Sequence, residues 1–108
     1  MKIRLLKFKS VKSTNNVALR LIKKKNLAPV IIISERQTEG RGTMGKKWVS
    51  KKGNLFFSIF FDENDKKINF KNYAILNAYL LKEIISKEIS KKIKIKWPND
   101  LLYNKNKI

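Results

Sequence analysis

Pro29-Val30-Ile31-Ile32-Ile33-Ser34 is a β-branched run with no polar alternation, opened by a residue that stops a helix. Such a run predicts a strand buried on both faces, as in a sheet covered by helices. Upstream, Val17 and Leu21, and then Ala18 and Ile22, repeat at four residues. That spacing predicts a helix, with Ser13-Thr14-Asn15 as its N-cap candidates. Lys23-Lys24-Lys25 suits the helix's negative end, and Asn26 can close it. Ile3 to Lys9 predicts a first strand.

Downstream, Ser34 to Lys47 is polar and holds Gly40, Gly42 and Gly45, which predicts a loop that orders on demand. Lys51 to Asn54 marks a turn, and Leu55 to Phe61 is a second continuous apolar run, again predicting a buried strand. Asp62 to Lys67 reads as a polar turn. From about Phe70 to Ile89 the period is helical. Tyr73, Leu76, Leu80 and Ile84 form one stripe with Ala74, Ala78, Leu81 and Ile85 beside it, wide enough for a long helix packed on a sheet. Ile93, Ile95 and Trp97 alternate with Lys94 and Lys96, a half-exposed strand that Pro98 ends. Leu101 to Tyr103 predicts a short strand, Asn104-Lys105-Asn106 a hairpin turn, and Lys107-Ile108 the start of a return strand. The order is strand, helix, two strands, helix, two strands. It predicts one domain over residues 1–108 of α/β or α+β layout, a partial mixed sheet flanked by helices. An unfinished last hairpin predicts truncation, or a partner that completes the sheet.

The 108 residues include no cysteine and no histidine. Thiol chemistry, disulfides and imidazole bases are thereby excluded, leaving charge stabilisation and positioning as the means of catalysis. No apolar run approaches the roughly 20 residues that span a bilayer, and the start lacks a signal-like apolar core. No membrane association and a cytoplasmic location are therefore expected. The formal net charge is +18, yet only Arg4, Arg20, Arg36 and Arg41 among the 26 basic residues are arginine. The lysines scatter over the whole chain, which reads as compositional bias rather than a selected patch. A basic nucleic-acid-binding module is the alternative this charge allows.

Two segments carry candidate chemistry. Glu39-Gly40-Arg41-Gly42-Thr43-Met44-Gly45-Lys46-Lys47-Trp48 combines glycines, which let backbone N–H groups converge on an anion, with Arg41, which can grip a carboxylate or phosphate bidentately. It also reads as an ordinary surface loop. Lys96-Trp97-Pro98-Asn99-Asp100 presents an amide and a carboxylate behind a rigid corner. Asp100 can hold Mg²⁺ or fix a lysine. It also reads as a plain turn with Trp97 in the core. Trp48 either anchors its loop or walls a pocket for a ring system.

Taken in order, Ser13-Thr14-Asn15, Glu35-Arg36-Gln37-Thr38, Gly40-Arg41-Gly42, Gly45-Lys46-Lys47-Trp48, Gly53-Asn54-Leu55-Phe56-Phe57-Ser58 and Lys96-Trp97-Pro98-Asn99-Asp100-Leu101 resemble the biotin–protein ligases (biotin–acetyl-CoA-carboxylase ligases) over residues 8 to 108. The resemblance implies a class II aminoacyl-tRNA synthetase/biotin synthetase-like fold, here truncated. It implies ATP-dependent conversion of biotin to biotinyl-5′-AMP, and transfer of biotin to a lysine of a biotin carboxyl carrier protein. ATP, biotin and Mg²⁺ are the implied ligands. No specific DNA is expected, and homodimerisation is left open.

By the same resemblance Ser13, Thr14, Gln37, Gly40 and Arg41 bind biotin, and Arg41, Gly42, Trp48, Asn99 and Asp100 bind the nucleotide. Arg41 and Lys107 are catalytic, and no residue is firmly assigned to metal. Thr43 and Met44 stand where the family often has basic residues, which implies weaker retention of the intermediate. The fragment alone is expected to be weakly active or inactive. Lipoate–protein ligases share the implied fold and remain a minor alternative; the Lys-Trp-Pro-Asn-Asp turn points to biotin.

Overall fold

The computed structural model describes residues 2–25, 29–62, 69–89 and 91–108. The helix closure expected at Asn26 and all but Asp62 of the turn expected to Lys67 lie outside the described residues. The chain forms two compact units, Met1–Glu63 and Asn64–Ile108.

In the first unit, β1 (Arg4–Phe8), α1 (Thr14–Lys23), β2 (Val30–Ser34) and β3 (Phe56–Phe60) follow in order. The sheet order is β1-β2-β3. β1 runs parallel to β2, with Leu6 opposite Ile32, and β3 runs antiparallel to β2, with Ser58 opposite Ile32. A parallel pair needs a crossover, and α1 supplies it. Val17 and Ala18 of α1 are buried with Val30 and Ile32 of β2, and Leu6, Val11, Leu21 and Phe60 pack around them. The helix contributes Val17, Ala18 and Leu21 of the face that its four-residue spacing predicts, while Ile22, expected on it too, is exposed at the helix end.

β2 is the spine of this core. Val30 and Ile32 are fully buried, and Ile31 and Ile33, on the other face, are half-buried. Each fully buried aliphatic side chain contributes roughly 1.5–3 kcal/mol. β3 departs from the expectation of burial on both faces. Phe56, Ser58 and Phe60 are half-buried on the α1 side, while Phe57 and Ile59 stay 42% and 47% exposed on the other. The apolar run is continuous, but α1 covers only one face of the sheet.

In the second unit, a short 3₁₀ turn (Phe70–Asn72) leads into α2 (Tyr73–Glu88). β4 (Ile93–Lys96), β5 (Asp100–Tyr103) and β6 (Asn106–Lys107) make an antiparallel sheet in that order. Mixed pairing is thus confined to the first of two sheets. Ala78, Ile93 and Leu101 form the core, with Ile85 against it. The helix face in use is 78/85, the flank expected beside the main stripe. Leu80 and Ile84 of the predicted stripe are exposed. Trp97 is 72% exposed, so it is not a core residue as the plain-turn reading required. The β5–β6 turn places Asn104 and Lys105 at φ 49° and 66°. Two positive φ values in succession suit a two-residue hairpin whose twist matches its strands. The return strand expected at Lys107-Ile108 starts one residue earlier, at Asn106. Among the described residues, no helix is long and apolar enough to cross a membrane.

Truncating Ile32 to alanine is expected to cost about 2–5 kcal/mol through lost burial and a residual cavity. The urea midpoint measures it; an unshifted midpoint would show that β2 is not the spine of this core.

Candidate active site

The site of the first unit is built from the start of α1. Ser13 is the N-cap, and its Oγ accepts the Asn16 N–H at 3.4 Å. Thr14 follows, buried to 4% exposure. Its backbone N–H donates to Gln37 Oε1 at 2.8 Å. The Ser58 hydroxyl donates to Asn15 Oδ1 at 2.6 Å and lies 2.8 Å from the Thr14 hydroxyl. Ser58 has one hydrogen, so the Thr14 hydroxyl must donate toward Ser58, sharing that hydrogen with Gln37 Oε1 at 3.2 Å.

Gln37 is held at its other end too. Its Nε2 donates to Ser50 Oγ at 3.0 Å, and Ser50 Oγ donates to the Trp48 carbonyl at 3.2 Å. An N–H at one end and a hydroxyl committed as donor beyond the other fix which way the amide faces. Isolated bridges pair Val11 with Gln37 and Gln37 with Ser50, which carries the strand order of the sheet past the end of β2.

The glycine segment is a folded hairpin. Arg41 bridges Lys47, the Gly42 N–H donates to the Lys46 carbonyl at 2.6 Å, and the Trp48 N–H donates to the Gly40 carbonyl at 2.8 Å. A 3₁₀ turn (Thr43–Gly45) forms its tip, with Met44 at φ 56° and 98% exposed. At the base, a Cβ on Gly40 would fall 2.4 Å from Ser50 Oγ and 2.6 Å from the Trp48 carbonyl. No side chain fits there, which is the physical reason for this glycine. The Trp48 ring lies against Gly42.

Asn16, Gln37, Gly40, Arg41, Lys47 and Trp48 line one open cleft of about 800 Å³. That is the size of a small-molecule site. The Arg41 guanidinium crosses to α1 and donates to Asn16 Oδ1 at 2.5 Å. Glu39, which lines the same cleft, is drawn to Lys12 at 3.7 Å. A polar seam suited to a neutral hydrogen-bonding group thus sits beside cations suited to a carboxylate or phosphate.

In the second unit, Lys107 Nζ meets Asp100 Oδ1 at 3.1 Å. The contact runs diagonally across the β5–β6 hairpin, since Lys107 lies opposite Leu102. Of the two options for Asp100, the structure shows the lysine pairing. Asn99 is exposed in the turn just before it. No group of three or more His, Cys, Asp or Glu side chains among the described residues could hold a metal ion.

Of the site residues expected in the first unit, Gln37, Gly40, Arg41 and Trp48 line the cleft, whereas Ser13 and Thr14 are buried at the start of α1 and, like Gly42, are not part of its lining. The second joins Asp100 to Lys107. Sequence reasoning gave no role to Asn16, Ser50 or Ser58. Ser58 carried a signal, a lone hydroxyl inside an apolar strand. Asn16 and Ser50 carried none.

Asn16 of α1 and the cationic hairpin face one ligand-sized cleft in an α+β chain. The chain belongs to the biotin/lipoate A/B protein ligase family, which it matches over residues 7–108. It is 32% identical over 77 residues to the bifunctional ligase/repressor BirA of Escherichia coli, covering 70% of this chain and 24% of that protein. The structure of the biotin acetyl coenzyme A carboxylase synthetase of Helicobacter pylori with bound biotinylated ATP superposes with a TM-score of 0.87 at 31% identity, covering 99% of this chain and 52% of that one. The biotin protein ligase of Aquifex aeolicus in complex with biotin and ATP superposes with a TM-score of 0.79 at 32% identity, covering 97% and 44%. The chain thus spans about a quarter of BirA and about half of these structural relatives.

Gly40→Ala should force the hairpin base apart, at roughly 1–3 kcal/mol for an overpacked site. A lowered melting temperature together with changed tryptophan fluorescence is expected. A variant with wild-type values for both would contradict the close approach of Ser50 and Trp48 to Gly40.

Proposed function

We propose that residues 1–108 are the N-terminal half of a biotin–protein ligase catalytic domain, with the class II aminoacyl-tRNA synthetase/biotin synthetase-like fold, working in the cytoplasm. The observation that carries this reading is Gln37 and Arg41 on one cleft, an oriented amide beside a cation. The ligand complexes of the Helicobacter and Aquifex relatives favour biotin over lipoate as substrate.

In the proposed reaction a biotin carboxylate oxygen attacks the α-phosphorus of ATP. The P–O bond to the leaving pyrophosphate breaks, and biotinyl-5′-AMP forms. The amine of a carrier lysine then attacks the acyl carbon, releasing AMP and forming the amide. The first step brings a carboxylate up to a triphosphate, so fixed positive charge is the main requirement.

Ser13, Thr14, Gln37 and Gly40 hold the biotin ring system, and Gln37 presents an amide whose orientation is set before the ligand arrives. Arg41 neutralises the carboxylate and then the adenylate phosphate. Gly42 lets the hairpin backbone approach the phosphate, and Trp48 offers a flat apolar wall to the adenine. The hairpin shields the mixed anhydride from water. Asn99 and Asp100 are assigned to the nucleotide and Lys107 to the reacting carboxylate and phosphate; these roles rest on the resemblance.

Magnesium, when bound, spreads the charge of the departing pyrophosphate. It usually takes one or two carboxylates and the substrate's phosphates rather than a full protein cage. No residue is firmly assigned to it; Asp100, which the resemblance turns toward that region, is engaged by Lys107 at 3.1 Å. The acceptor proposed is a biotin carboxyl carrier domain.

Incubating the chain with biotin, labelled ATP and a biotin-accepting domain should give slow biotinyl transfer. Arg41→Ala and Lys107→Ala should each lower it on the order of a hundred-fold, the scale for losing a group that stabilises transition-state charge. Transfer that survives both substitutions would refute these roles.

A further inference from the structure

We infer that Asn16 is a positioning residue: its amide oxygen clasps the Arg41 guanidinium over the cleft without neutralising it, so the cation keeps its full charge for an anionic substrate. This rests on the ligase reading above. Arg41 Nη2 donates to Asn16 Oδ1 at 2.5 Å, and both residues line the same cleft. Asn16 is the third residue of α1, held in place by the N-cap bond from its N–H to Ser13 Oγ. That position normally favours Glu or Gln, which reach back to the cap, and any acid there gains from the helix dipole.

α1 has no acid in its first turn. An aspartate at residue 16 would suit the helix and would pair with Arg41 more strongly than an amide does. It would also cancel the one charge that the cleft offers through a guanidinium. The nearby carboxylate, Glu39, is engaged by Lys12 instead. A neutral acceptor thus stands at the one place where helix stability and substrate binding make opposite demands.

The test compares biotin with biotinol, its carboxyl-free alcohol, by isothermal titration, alongside thermal melting. The full chain is used as wild type and as Asn16→Ala, Asn16→Asp and Asn16→Gln. The wild type should prefer biotin by about ten-fold or more, the scale of a charge-assisted hydrogen bond. Asn16→Ala leaves Arg41 charged but unclasped and should lose part of that preference. Asn16→Asp should lose nearly all of it while still binding biotinol and melting no lower than wild type. Asn16→Gln, a longer neutral acceptor, should restore preference toward wild type, and it decides the matter should Asn16→Asp fold poorly.

A merely structural clasp gives the opposite rank, with Asp equal to or above wild type and Ala lowest. That rank, or a wild-type preference retained in Asn16→Asp, overturns the inference and leaves the ligase reading standing. A wild-type chain that binds neither compound overturns both.

Discussion

Thr14 starts α1 with its N–H and its hydroxyl both shut off from water. A buried donor left without an acceptor costs about 1–3 kcal/mol, so the helix start can dock only where partners exist. Gln37 and Ser58 are those partners. They come from segments far apart in the chain, one just past β2 and one in the middle of β3. A single polar seam therefore sets how α1 lies on the sheet. The seam continues through Gln37 to Ser50, and through Ser50 to the Trp48 carbonyl, so the hairpin that carries Arg41 hangs from the same line of bonds. The shape of the cleft is in this sense a by-product of satisfying one buried threonine.

Charge is arranged around that seam with similar economy. The chain carries 26 basic and 8 acidic residues, so cations near the site are plentiful and acids are the informative ones. Glu39 leans on Lys12 and Glu35 on Lys52, at 3.7 and 3.6 Å. Such partly exposed pairs stabilise a fold by at most about 1 kcal/mol each. Their larger effect is on the local field, because each occupies an acid that would otherwise be open to another cation. Arg41 meets a neutral amide instead. With no histidine or cysteine in the chain, this fixed field is the main chemical resource the cleft possesses.

Much of this was legible in the residue order. The four-residue repeat of Val17 and Leu21 and of Ala18 and Ile22 named the buried face of α1 in all but the exposed Ile22, and Ser13 its cap, because helix periodicity and capping are local properties. The Gly-Arg-Gly segment was legible as a site by its residue types. Its closed shape was not, since that depends on bridges between Gly40 and Trp48 and between Arg41 and Lys47, which periodicity does not record. Asn16 and Ser50 were invisible for a different reason. Each matters through a partner 25 or 13 residues away, and nothing in a single chain marks such pairs.

β3 departs from its residue pattern although the physics of that pattern is sound. Leu55 to Phe61 is apolar without alternation, and such a run demands burial on both faces. Strand register shows where the demand goes unmet. Leu5 of β1 lies opposite Ile31 of β2, which lies opposite Ile59 of β3, and Ile33 lies opposite Phe57. These five side chains share the face turned away from α1, with Leu5, Phe57 and Ile59 exposed. A row of apolar residues across three strands is unusual on a free surface, where single scattered ones are normal. Hydrophobic patterning reports what a strand requires of its surroundings, whereas contacts report what it has; in β3 the two differ.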